Sequence, residues 1–163
     1  MLEFADKVVI ITGSSSGIGA VTAVEFAKQG AKITVCGRNV DELQKVADQI
    51  TTISGQKPLQ IIGDITDESV QDRIINETIA KFNCLDILVN NAAIVRAIDK
   101  LENSQIMKAF DSTHAVNVRA PLRLIHLAIP HLSKTKGNII NVSSIASFCP
   151  VSIKKIFNFS LFL

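Results

Sequence analysis

The chain has 163 residues, 47% of them apolar, with 17 Lys and Arg against 15 Asp and Glu and a formal net charge of +2. That is enough apolar material for one domain with a packed core. The charges are mixed rather than blocked, which excludes a phosphate-tracking basic stripe and an acidic tail, so nucleic acid is not an expected partner.

No apolar run reaches the roughly 18 residues that a membrane span needs, and the first residues lack the basic-then-apolar layout of a secretory leader. No membrane association is expected. Cys36, Cys84 and Cys149 are far apart and lack ligand spacing, so reduced thiols in a cytoplasmic compartment, and no bound metal, are expected.

Short β-branched runs alternate with longer segments of helical period, the pattern of a doubly wound α/β fold around a parallel sheet. Residues 7–12 (KVVIIT) read as a buried strand and residues 18–29 as a helix closed by Gly30. Residues 32–37 form the second strand. In residues 41–53, Leu43, Val46, Ala47 and Ile50 recur at the spacing of a helix with one buried face.

Residues 58–63 give the third strand, residues 67–82 a helix with Val70, Ile74, Ile75 and Ile79 inward, and residues 85–90 the fourth strand. Residues 104–115 and 118–132 read as two helices or one bent one, with Pro121 tolerable near a helix start. Residues 137–142 form a fifth strand. Right-handed crossovers then imply the sheet order 3-2-1-4-5, with ligands beyond the carboxyl ends of the strands. Cys36 and Cys84 are expected in the core, and His114, His126 and His131 at helix surfaces or boundaries.

The strongest chemical signal is the run Thr12, Gly13, Ser14, Ser15, Ser16, Gly17, Ile18, Gly19, set between a strand and a helix. A diphosphate needs free backbone N–H groups and a close backbone approach, which side-chain-free positions ahead of a helix N-terminus provide. The hydroxyls of Ser14, Ser15 and Ser16 can add hydrogen bonds. A Gly/Ser-rich loop with no phosphate role is the competing reading, and the strand–loop–helix context weighs against it.

This run resembles the TGxxxGIG signature of the short-chain dehydrogenase/reductase family, matched at every fixed position from Thr12 to Gly19. The resemblance continues to about residue 150. It implies a Rossmann-type domain over residues 1–150 and a divergent tail over residues 151–163. Asp64 and Ile65, after the third strand, resemble the segment that meets the adenine ring. Asn90, Asn91, Ala92 and Ala93 resemble the family's NNAG, with Ala93 in place of the last Gly.

Arg38 follows the second strand, where an acid would bond the ribose hydroxyls and a guanidinium would clamp a 2′-phosphate. NADP is therefore the expected cofactor and NAD the second choice. Asn117 matches the helix Asn that helps hold a relay water, and Ser144 the catalytic Ser that hydrogen-bonds the substrate carbonyl.

The pattern breaks downstream. The family's Tyr-x-x-x-Lys would fall at positions 157 and 161, which hold Phe157 and Leu161, and the chain contains no Tyr. The phenol that moves a proton and the ammonium that tunes it are both missing. The expected class is an NADP-dependent, 3-oxoacyl-carrier-protein-reductase-like enzyme of carbonyl or alcohol substrates, with this chain a truncated and inactive form. The alternatives are a non-catalytic nucleotide-binding subunit that pairs with an intact relative, and a non-functional product. Homo- or hetero-oligomers with intact relatives are a possible assembly.

Overall fold

The computed structural model describes residues 2–95 and 104–145. Five parallel strands, β1 (Val8–Thr12), β2 (Lys32–Gly37), β3 (Leu59–Ile62), β4 (Ile87–Asn90) and β5 (Asn138–Asn141), lie in the order β3-β2-β1-β4-β5. Helices α1 (Gly17–Lys28), α2 (Val40–Ser54) and α3 (Glu68–Phe82) make the first crossovers. The last crossover is α4 (Ile106–His114), a π-helical turn (Ala115–Arg119) and α5 (Ala120–Thr135). The fold class and strand order are those expected from the sequence.

The period-2 geometry of a strand divides β1 between two cores. Val9 and Ile11 face α1 and α2 with Ile33, Val35 and Val89, whereas Val8 and Ile10 face α3 and α5 with Ile61 and Leu88. All of these are buried, as a sheet covered on both faces requires. Each fully buried Ile or Leu contributes about 1.5–3 kcal/mol from burial.

The buried positions of α2 are Leu43, Val46, Ala47 and Ile50, those expected from periodicity. Its start is capped by Asn39, whose Oδ1 accepts from Glu42 N at 3.1 Å, and Gly55 ends it at φ 70°. Asp67 caps α3 in the same way, accepting from Ser69 N at 2.8 Å. At the amino ends of the central strands β1 and β4, buried Asp86 accepts from Val8 N at 2.9 Å and from Lys7 Nζ at 2.8 Å.

Residues 106–135 hold the two expected helical segments, and what the spacing did not show is that a π-helical turn at Ala115–Arg119 joins α4 to α5 without a break. Pro121 does lie at the start of α5, and Pro130 lies inside it. Cys36 is buried in the core, and Cys84, in the turn before β4, is partly buried and packed against the same core cluster. Cys149 and residues 151–163 lie outside the described residues. Among the described residues no helix is long and apolar enough to cross a membrane.

Candidate nucleotide-binding site

The strands end together, and beyond their carboxyl ends opens a cleft of about 680 Å³, within the size range of small-molecule sites. It is lined by the turns after four strands, at Gly13, Gly37, Gly63 and Asn91, and by Ala115 and Val116 of the π-helical turn. This is the crevice that a parallel sheet leaves where its connections diverge to opposite faces.

The loop between β1 and α1 is built around missing side chains. Gly13 holds φ 65°, and a Cβ there would stand 2.8 Å from Ala92 Cα. A Cβ at Gly19 would meet Gly13 O at 2.5 Å and run into Asn91 Nδ2. Loop, helix and β4 are therefore pressed together, and the wall of the cleft here is backbone.

Thr12 and Asn91 hold this contact. Thr12 Oγ1 accepts from Asn91 N and Ala92 N, each at 2.9 Å, and Asn91 Nδ2 donates to Thr12 O at 2.9 Å and Gly13 O at 3.3 Å. Sequence reasoning read Thr12 only as a motif position and left it out of the binding set. Its signal was present, a hydroxyl at the last residue of a buried strand, but its partners lie 79 and 80 residues away.

The three serines separate. Ser14 is fully buried; its Oγ donates to Ile11 O at 2.9 Å and accepts from Cys36 N at 2.9 Å. Its hydroxyl therefore ties β1 to β2 instead of reaching the cleft, which corrects the expectation of a third phosphate-facing hydroxyl. Ser15 and Ser16 do line the cleft. Ser16 is the N-cap of α1, yet its side chain makes no capping bond and the first turn carries no acid. Helices α2 and α3 cap themselves with Asn39 and Asp67. Helix α1, which runs from Gly17 through Ile18 and Gly19, thus keeps its N-terminal donors and positive dipole end free of an internal side-chain acceptor.

At the β2–β3 end of the cleft stand Arg38 and Asp64. Arg38 NH1 lies 3.6 Å from Asp64 Oδ2, and both side chains are substantially exposed. The other carboxylate oxygen accepts from Thr66 N at 2.9 Å and Thr66 Oγ1 at 2.7 Å. These Thr66 bonds, and then the Arg38 charge, hold the Asp64 carboxyl below its ordinary pKa. Ile65 lines the same end, its carbonyl accepting from Gln71 Nε2 at 2.6 Å. Cys36 lines the cleft floor but is buried, which pushes its thiol up to about 12.

At the other end, Asn117 sits in the π-helical turn, where its Oδ1 accepts from Ile94 N at 2.9 Å and its Nδ2 donates to Ile94 O at 3.0 Å. Its side chain therefore positions the segment after β4. Ser144 follows β5 on the same carboxyl side of the sheet and is half-exposed. Phe157 and Leu161 lie outside the described residues.

Residues 7–158 match the family model described as short chain dehydrogenase, and the chain belongs to that family. It is 43% identical over 145 residues to the 11-beta-hydroxysteroid dehydrogenase-like 4A protein of Arabidopsis thaliana, covering 89% of this chain and 48% of that protein. An uncharacterized oxidoreductase of Thermotoga maritima is 36% identical over 160 residues, covering 98% and 62%. Among solved structures, a Caenorhabditis elegans short-chain dehydrogenase/reductase of unknown function, crystallised with cofactor, superposes with TM-score 0.89 at 35% identity, covering 98% of this chain and 60% of that one. The apo glucose dehydrogenase of the same organism gives TM-score 0.78 at 44% identity, covering 88% and 57%. The chain thus spans about half to two thirds of the length of these relatives.

The residues fit an NAD(P) cofactor, the family's nucleotide. The glycines let the β1–α1 loop approach the turn after β4 closely, and helix α1 starts at the cleft with donors that no side chain caps.

Proposed function

We propose that this chain is the dinucleotide-binding portion of an oxidoreductase that interconverts a secondary alcohol and a ketone, that it takes NADP(H) before NAD(H), and that as written it binds the nucleotide without turning it over. The observation that carries this reading is the start of α1. It alone of the first three helices lacks a side-chain cap, and it opens onto the glycine-walled cleft.

The loop from Gly13 to Gly19 takes the diphosphate, with donors from the backbone of Gly17, Ile18 and Gly19 and from the Ser15 and Ser16 hydroxyls. Arg38 faces the adenosine ribose, Asp64 and Ile65 the adenine, and Asn91 and Ala92 the nicotinamide side. When bound, the nicotinamide supplies the hydride acceptor or donor. Ser144 hydrogen-bonds the substrate oxygen, and Asn117 fixes the wall of the site through Ile94.

The names of two relatives, a hydroxysteroid dehydrogenase-like protein and a glucose dehydrogenase, share with 3-oxoacyl reductases the CH–OH/C=O pair, and that pair is the substrate class proposed. Moving the hydroxyl proton needs a titratable group near the substrate, worth about 10²–10⁴-fold. Positions 157 and 161 offer Phe and Leu, which can neither give nor take one.

Titrating the purified, folded chain with NADPH and following nucleotide fluorescence tests the binding half of this reading; saturable uptake is expected. A spectrophotometric assay with a 3-oxoacyl ester, a hydroxysteroid and glucose tests the other half. Clear turnover by the unmodified chain, free of host reductases, contradicts it.

A further inference from the structure

We infer that Asp64 restrains the cofactor preference of this site: its carboxylate offsets the Arg38 charge, so the adenosine end accepts both nucleotides with a smaller bias toward the 2′-phosphate than an unopposed arginine would give. The inference rests on the cofactor reading above and assigns a selectivity role to a residue that otherwise serves the adenine.

The geometry supplies the argument. At 3.6 Å the Arg38–Asp64 pair is longer than the 2.7–2.9 Å or so of a charge-assisted hydrogen bond, so the guanidinium is neutralised without being locked and can still reach a ligand. The carboxylate is fixed in place, because both Thr66 donors hold its Oδ1. It also stays ionised, since those bonds and the Arg38 charge favour the anion. A 2′-phosphate drawn to Arg38 therefore arrives beside an immovable negative charge, and gains from the arginine what it partly loses to the aspartate. A ribose hydroxyl meets a nearly neutral corner and suffers no such loss. Both groups are exposed enough that the effect is screened and modest.

Asp64→Asn removes the charge and keeps an acceptor for the Thr66 donors. Because any adenine contact is common to both nucleotides, it cancels in the ratio of affinities. The expected result is a rise of about three- to tenfold in the NADPH-to-NADH affinity ratio, measured by fluorescence titration, and a similar rise for 2′,5′-ADP over 5′-AMP by calorimetry. The rise should shrink as ionic strength goes from about 0.05 M to about 0.5 M, across which the Debye length falls several-fold.

Asp64→Glu, which keeps the charge, should leave the ratio within about twofold of the unmodified chain. In the Arg38→Gln background, which lacks the attraction to offset, Asp64→Asn should still raise uptake of the phosphorylated ligands while absolute preference falls. An unchanged ratio in Asp64→Asn overturns the inference, as does a lowered one, which would mean that the aspartate orients Arg38 for the phosphate. A folded chain that takes up neither nucleotide overturns the cofactor reading and this inference with it.

Discussion

Gly19→Ala tests whether the nucleotide loop is held by close backbone contact. The added Cβ would stand 2.5 Å from Gly13 O and 3.0 Å from Gly13 C, and would also strike Asn91 Nδ2. Ordinary contact begins near 3.4 Å, so α1 and the loop must part by about 0.9 Å, and the obstructing atoms are mainly backbone that cannot swing aside. Overpacking of this kind costs about 1–3 kcal/mol. Displacing the Asn91 amide from Thr12 O and Gly13 O adds about 0.5–1.5 kcal/mol for each bond lost. The better helix propensity of Ala returns about 1 kcal/mol.

The net expectation for Gly19→Ala is a loss of about 1–5 kcal/mol, read as a drop in urea midpoint at constant slope and a fall in Tm of roughly 2–4 °C per kcal/mol. Gly17→Ala is the control. Its φ of 56° makes Ala unfavourable by about 1–2 kcal/mol, but a Cβ there meets nothing within 4 Å. NADPH titration of both variants then separates a loosened loop from a blocked one. A Gly19→Ala variant within about 0.5 kcal/mol of the unmodified chain would refute the reasoning, because surface-like tolerance is incompatible with that contact.

Three further outcomes are expected. Thr12→Val leaves Asn91 N and Ala92 N without the hydroxyl that accepts from both, so it should cost about 1–3 kcal/mol per orphaned donor in urea unfolding, and Thr12→Ser should recover most of that. Cys36 is a buried thiol whose folded pKa is pushed above the unfolded 9.0 to about 12, so the stability it contributes is present below pH 9 and lost as pH rises from 9 toward 12. In urea titrations the difference between the unmodified chain and Cys36→Ala should therefore narrow above pH 9, by at most about 1.4 kcal/mol per pH unit. A difference that is flat across that window contradicts the burial of the thiol. Arg38→Asp replaces a guanidinium with a ribose acceptor and should shift binding toward NADH, the lost charge-assisted bonds being worth about 1.5–3 kcal/mol. Equal affinity of the unmodified chain for both nucleotides would argue against the 2′-phosphate role.

Sequence by itself determined the order of elements, the two-sided burial of the strands, the inward face of α2 and the Gly-rich turn, because each is written in neighbouring residues as a period or a turn chemistry. What only the tertiary structure decided is the direction in which each polar side chain turns. Ser14 and Ser15 are adjacent and alike in sequence, yet one hydroxyl is buried against β2 and the other lines the cleft. Asn91 and Asn117 look free in the sequence, but their amides hold backbone atoms of Thr12, Gly13 and Ile94. The π-helical turn that presents Asn117, and the pairing of Arg38 with Asp64, likewise join segments that only the folded chain brings together. The physical reason is range. Periodicity reports which face of an element is apolar, whereas a hydrogen bond between the turns after β1 and β4 depends on partners about 79 residues apart, whose approach is settled by the packing of the whole sheet.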